Sequence, residues 1–213
     1  MKTNFEGPKE KYCNFLYKNK SLCIRNPEEE PYHLRSGGRS RMYIDHAKIG
    51  CDSASFSAFV QAIGELLPKN KPFTLCNVDS KISAQMVGAL AYSLIVPQII
   101  YKSDEMVRLE KGPMQQLAVP SGKVQSVFIL DDVGTTGATV INVAKLIRNK
   151  LGERVPITLL VGLVRDPNIF TEKLKKYSIT YRHIITLDEL LTIHWGSFTD
   201  NQKKAILMER TLE

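Results

Sequence analysis

Val127-Phe-Ile-Leu-Asp-Asp-Val-Gly-Thr-Thr-Gly-Ala-Thr-Val140 decides how the rest of this chain is read. Four apolar residues predict a short buried strand. Two adjacent acids, Asp131 and Asp132, end it, and Gly134-Thr-Thr-Gly137 turns the chain. Val140, Val143, Ala144 and Leu146 then give the next segment an apolar helical face. Chemistry at the carboxyl end of a strand, just before a helix, is where open α/β sheets take their ligands. The helix start offers free N–H groups and the positive end of a dipole. The two glycines allow close backbone approach, and the threonine hydroxyls add donors, so the turn suits a phosphate. Asp131 and Asp132, acceptors only when ionised, suit the hydroxyls of a ribose or a magnesium shell. Two other phosphate loops are excluded by spacing. No lysine follows Gly137, as a Walker loop requires, and G-x-G-x-x-G is absent. A plain strand-to-helix turn with threonine caps would leave the paired carboxylates unexplained.

Working outward, similar short apolar runs stand at Phe73–Cys76, Gln98–Tyr101 and Ile157–Val161, with one more at His183–Thr186. Between them lie segments with helical spacing. Phe56, Phe59, Val60, Ile63 and Leu67 mark a helix over 52–67, with Asp52 or Ser53 as its cap; Met86, Leu90 and Leu94 mark another that ends near 95. Alternation of this kind predicts an α/β fold: a parallel-sheet core with helices on both faces and right-handed crossovers. Upstream, a helix over 8–19 and an extended stretch, Arg41–Asp45, form a separate N-terminal hood over 1–45, and 46–213 is the core. Residues 103–122, punctuated by Gly112-Pro113 and Pro120-Ser-Gly122, read as a mobile loop, since loops that long are commonly lids.

The 213 residues carry 29 Lys and Arg against 22 Asp and Glu, a formal charge of +7, which points to anionic partners. With 43% hydrophobic and 24% charged residues, the chain is neither disordered nor fibrous. No run approaches the ~18 apolar residues of a membrane span, so no membrane partner is expected and the expected location is cytoplasmic. Cys13, Cys23, Cys51 and Cys76 form no C-x-x-C pair, which argues against a zinc or redox motif and for reduced, mostly buried thiols. No helix-turn-helix segment is evident, so nucleic acid is an unexpected partner.

The stretch Leu130-Asp-Asp-Val-Gly-Thr-Thr-Gly-Ala-Thr139 resembles the phosphoribosyl pyrophosphate (PRPP) motif of the type I phosphoribosyltransferases. Tyr32-His-Leu-Arg-Ser-Gly-Gly-Arg-Ser-Arg-Met-Tyr-Ile-Asp45 and Leu163-Val-Arg-Asp166 are similar to signatures of the orotate phosphoribosyltransferases. The resemblance implies transfer of the 5-phosphoribosyl group of PRPP to orotate, with release of pyrophosphate. Asp131 and Asp132 would hold the ribose hydroxyls, while Gly134, Thr135, Thr136, Gly137, Ala138 and Thr139 would hold the 5-phosphate. Arg35 would meet the base or the diphosphate, Tyr43 and Ile44 would pack on the base, and Arg165 would grip the orotate carboxylate, for which a guanidinium fork is apt. Ser80 and Lys81 would contact substrate, although their turn, Cys76–Ile82, lacks the glycine usual in the family. Lys102, with Arg108 or Lys111, would meet the pyrophosphate. Magnesium is the implied cofactor, held mainly through PRPP and not by direct protein ligands, and a homodimer is the implied assembly. The alternatives are a different acceptor base and a PRPP-binding regulatory protein without catalysis.

Overall fold

The computed structural model describes residues 7–34, 38–104, 114–120 and 122–210, with the backbone alone at 102–104, 114–116 and 210. Helix α1 (Pro8–Lys18) opens on a proline at its first turn, where the missing N–H costs nothing, and buries Tyr12, Cys13 and Leu16. Two small antiparallel ribbons follow. Strand β1 (Leu22–Ile24) pairs with β4 (Met42–Ile44), and β2 (Tyr32–His33) with β3 (Arg39–Ser40); together they form the small N-terminal hood. Helices α2 (Ala47–Gly50) and α3 (Ser53–Gly64) come next. The Asp52 carboxylate accepts from the Ser55 N–H at 2.8 Å and from the Ser55 hydroxyl, so Asp52 caps α3.

The sheet starts at β5 (Thr74–Asn77) and continues through α4 (Lys81–Leu94), β6 (Gln98–Asp104), β7 (Met114–Ala118) and β8 (Val127–Gly134). It then runs through α5 (Ala138–Leu151), β9 (Ile157–Val164), α6 (Pro167–Lys175) and β10 (Ile179–Thr186). Its order is β10-β9-β8-β5-β6-β7; β5 is parallel to β6 and β8, β8 is parallel to β9, and β7 runs antiparallel to β6. From the β5–β8 centre, β5–α4–β6 steps one way and β8–α5–β9 the other. Right-handed crossovers therefore put α4 and α5 on opposite faces. Val127, Ile129, Leu159 and Val161 pack with Val140, Val143, Ala144 and Ile147 of α5 and with Phe170 and Leu174 of α6. The chain closes with α7 (Leu187–His194) and α8 (Asp200–Arg210).

Two compact units result. One is Ile63–Ile184; the other joins the chain up to Ala62 with the chain from Ile185 on. In this division the last two helices group with the N-terminal segment. Within that second unit Tyr12 stacks on Phe59 at 4.7 Å, and its hydroxyl bonds His46 Nε2 at 2.6 Å. The 103–122 stretch differs from the single loop its composition suggests. Ser103 and Asp104 lie on β6 and pair with Gln115 and Met114 of β7, because the loop's two ends continue a hairpin; residues 105–113 and 121 lie outside the described residues. Among the described cysteines, Cys13 and Cys76 are buried, with burial pushing each thiol up to about 12, while Cys23 is half-buried and Cys51 exposed. Among the described residues no helix is long and apolar enough to cross a membrane.

Candidate active site

Because the connections leave β5 and β8 in opposite directions, the carboxyl ends of these two neighbouring strands form the topological switch point at which open α/β sheets take ligands. Asp131 and Asp132 stand there, half-buried, on the second half of β8, just past the last residue that pairs with β5. The Asp131 carboxylate accepts the Asp132 N–H at 2.9 Å. Desolvation pushes the Asp131 carboxyl well above its usual range, and the Asp132 charge and a hydrogen bond between the two carboxyls push the same way.

Beyond the acids, β8 continues through Gly134 because its parallel partner continues too, with Gly134 opposite Val164. Thr135 and Thr136 form the bend, half-buried, and Gly137 takes a left-handed φ of 69° at the start of α5, with no side-chain cap. Ala138 and Thr139 open the helix and are exposed, at the end of α5 whose first N–H groups lack intrahelical partners. The glycines have a reason the sequence did not show. A Cβ on Gly134 would lie 2.8 Å from Phe170 Cζ, and one on Gly137 would lie 3.2 Å from Leu174 Cδ2. Helix α6 fills the space on that side of the turn, so the glycines admit its side chains.

Arg165 follows β9, and its N–H donates to the Gly134 carbonyl at 3.1 Å. That bond places Arg165 next to the turn that opens α5. Asp166 caps α6 with its carboxylate, accepting from Asn168 and Ile169 N–H at 2.9 and 3.0 Å. On the other side of the acids, Ser80 is the N-cap of α4, accepting from Ser83 N–H, and Lys81 is exposed at the helix start.

Asp131, Asp132, the 134–139 turn, Ser80, Lys81 and Arg165 are therefore brought to one edge of one sheet. Lys102 lies on β6 opposite Gln116, and only its backbone is described. Arg35, Arg108 and Lys111 lie outside the described residues. Tyr43 and Ile44 are neighbours on a strand and point to opposite faces: Ile44 is buried in the N-terminal hood while Tyr43 is 41% exposed beside Tyr32. Sequence reasoning passed over Asn77 and Ser83, both buried around the β5 end. Their signal was polarity out of place. Asn77 ends an apolar strand, and Ser83 sits on the Ile82, Met86, Val87, Leu90 side of α4.

No family model and no curated protein matches the sequence. Solved structures do match. The orotate phosphoribosyltransferase of Aeropyrum pernix is similar with a TM-score of 0.69 at 22% identity, over 86% of this chain and 98% of that one. The UMP synthase of Leishmania donovani is similar with a TM-score of 0.72 at 18% identity, over 92% of this chain and 41% of that one. The adenine phosphoribosyltransferase of Leishmania donovani is similar with a TM-score of 0.56 at 15% identity, over 83% and 80%. At such identities the match is one of fold, and the fold is that of the type I phosphoribosyltransferases.

Proposed function

We propose that this chain is a phosphoribosyltransferase that moves the 5-phosphoribosyl group of PRPP to orotate, releasing pyrophosphate and forming orotidine 5'-monophosphate. The observation that supports the reading is the Arg165 N–H to Gly134 carbonyl bond at 3.1 Å, which brings an arginine next to the turn that follows the two acids. A purine acceptor has no carboxylate for that guanidinium to meet.

In this reading the bond from C1 of the ribose to the diphosphate breaks through a transition state of oxocarbenium character, and a ring nitrogen of orotate forms the new bond from the opposite face. No protein nucleophile is needed, so the chain works by positioning and charge. Asp131 and Asp132, once ionised, accept the ribose hydroxyls. The α5 N-terminus and the Thr135, Thr136 and Thr139 hydroxyls hold the 5-phosphate, and Arg165 grips the orotate carboxylate in two hydrogen bonds. Lys102, Arg108 and Lys111 belong to the segment that meets the departing pyrophosphate. Magnesium would be held mainly through PRPP, next to Asp131 and Asp132, and would supply neutralisation of the leaving-group charge. A homodimer is part of the proposal and is read by light scattering of the purified chain.

The test supplies the chain with PRPP, magnesium and each of orotate, uracil, adenine, guanine, hypoxanthine and xanthine, and follows pyrophosphate release. Turnover with orotate alone is expected, and Arg165→Ala should weaken orotate more than PRPP. Turnover with a purine only would reassign Arg165. PRPP binding without turnover on any base would make the chain a PRPP sensor.

A further inference from the structure

Parallel strands exchange evenly spaced hydrogen bonds, and the β5–β8 ladder begins with Thr74 N–H donating to the Ser126 carbonyl at 3.0 Å. Two residues per repeat carry that series to a last rung from Val78 N–H to the Leu130 carbonyl, immediately before Asp131. At that rung stands the hydroxyl of Ser83. It accepts from Val78 N–H at 2.9 Å and donates to the Leu130 carbonyl at 2.6 Å, with no part of the side chain exposed. A side chain from the third position of α4 is thus threaded between two strand ends.

The other edge of β5 repeats the device. The β5–β6 register is Leu75 opposite Gln98 and Cys76 opposite Ile99. The next rung, Tyr101 N–H to the Asn77 carbonyl, is taken over by the Asn77 side chain. Its Oδ1 accepts Tyr101 N–H at 2.9 Å, and its Nδ2 donates to the Tyr101 carbonyl at 2.9 Å and the Val78 carbonyl at 3.0 Å. Both edges of one strand are therefore parted by a buried polar side chain at the same level. That level lies immediately before Asp131 on β8, at the carboxyl end of β5.

We propose that Ser83 and Asn77 are positioning residues: polar wedges that part the end of β5 from its neighbours and so hold the Val78–Ser80 turn at the distance from Asp131 and Asp132 that a diphosphate-bearing ligand needs. The proposal rests on the reading of the site as a PRPP site. It assigns to two side chains a spacing that glycine supplies by conformational freedom in other turns. Neither residue touches ligand; each acts through the backbone it separates.

Removing the Ser83 hydroxyl should not unfold the chain, because the two groups it bridges can bond each other directly. Ser83→Ala is therefore expected to melt within about 2 °C of wild type. Its calorimetric affinity for PRPP with magnesium should fall by about tenfold or more, as expected when a binding turn is displaced by an ångström. Ser83→Thr, which keeps the hydroxyl, should recover most of the affinity, and Asn77→Ala should repeat the loss from the other edge. Wild-type affinity in Ser83→Ala overturns the proposal. So does a large fall in melting temperature that Ser83→Thr does not rescue, since that marks a merely structural role. If wild type itself ignores PRPP, the reading of the site fails and with it the positioning role, whereas a loss confined to the variants upholds both. Crystals of ligand-free Ser83→Ala give an independent check: Val78 N and the Leu130 oxygen should close to an ordinary rung, and an unchanged separation overturns the wedge.

Discussion

Asp131 shows how a ligand site is carried by an unfavourable residue. Its carboxyl has a raised pKa in the folded chain, whereas in the unfolded chain it returns to the ordinary 3.8. The folded state therefore favours the proton: the stability this supplies is complete below 3.8 and is lost as pH rises through the raised value. Asp131→Asn should accordingly raise the melting temperature at pH 8, barely alter it below pH 3.8, and cut turnover by orders of magnitude. Equal melting curves at pH 8 would contradict the upward shift of the Asp131 carboxyl. Gly134 makes the opposite point. Gly134→Ala sets a methyl 2.8 Å from Phe170 and should cost about 1–3 kcal/mol in a denaturant melt, of which Phe170→Leu in the same chain recovers part. The sequence showed that glycines belong in this turn. It could not show Phe170, because contact between residues so far apart in the chain leaves no local pattern.

Most elements were legible where hydrophobic periodicity sets them. The strands at Gln98 and Val127 begin where the apolar runs begin, and α1 and α4 end within a residue of the expected places. Ends were less legible. Strands β8 and β9 run on through Gly134 and Val164 since each supplies the other with a partner, and the acids that look like a stop signal sit within the ladder. The hairpin ends of β6 and β7 were hidden in a polar stretch for the same reason: strand pairing rewards backbone, whatever side chains it carries. Caps, by contrast, are written locally. Asp166 before Pro167 is one, and Asp166→Ala should lower the stability of the chain by about 1 kcal/mol, read from the urea midpoint at constant slope. A cost near zero would mean that water replaces the carboxylate at Asn168 and Ile169.

At the scale of the molecule, charge was read without a structure. A formal +7 attracts a substrate of several negative charges, so PRPP affinity should fall steadily between about 0.1 and 1 M salt as the screening length shrinks from roughly 10 to 3 Å. An affinity indifferent to salt would assign the binding to short-range contacts alone. The partition into units was not legible, since a contact between chain ends has no periodicity. Glu209 of α8 accepts Arg41 N–H at 2.6 Å and the Ser40 hydroxyl, tying the last helix to the ribbon near the start. This arrangement gives protein synthesis an order. The sheet unit is one uninterrupted segment, so it is free to fold once Ile184 has left the ribosome. Its companion has to wait with its first sixty-odd residues unfinished until α8 emerges.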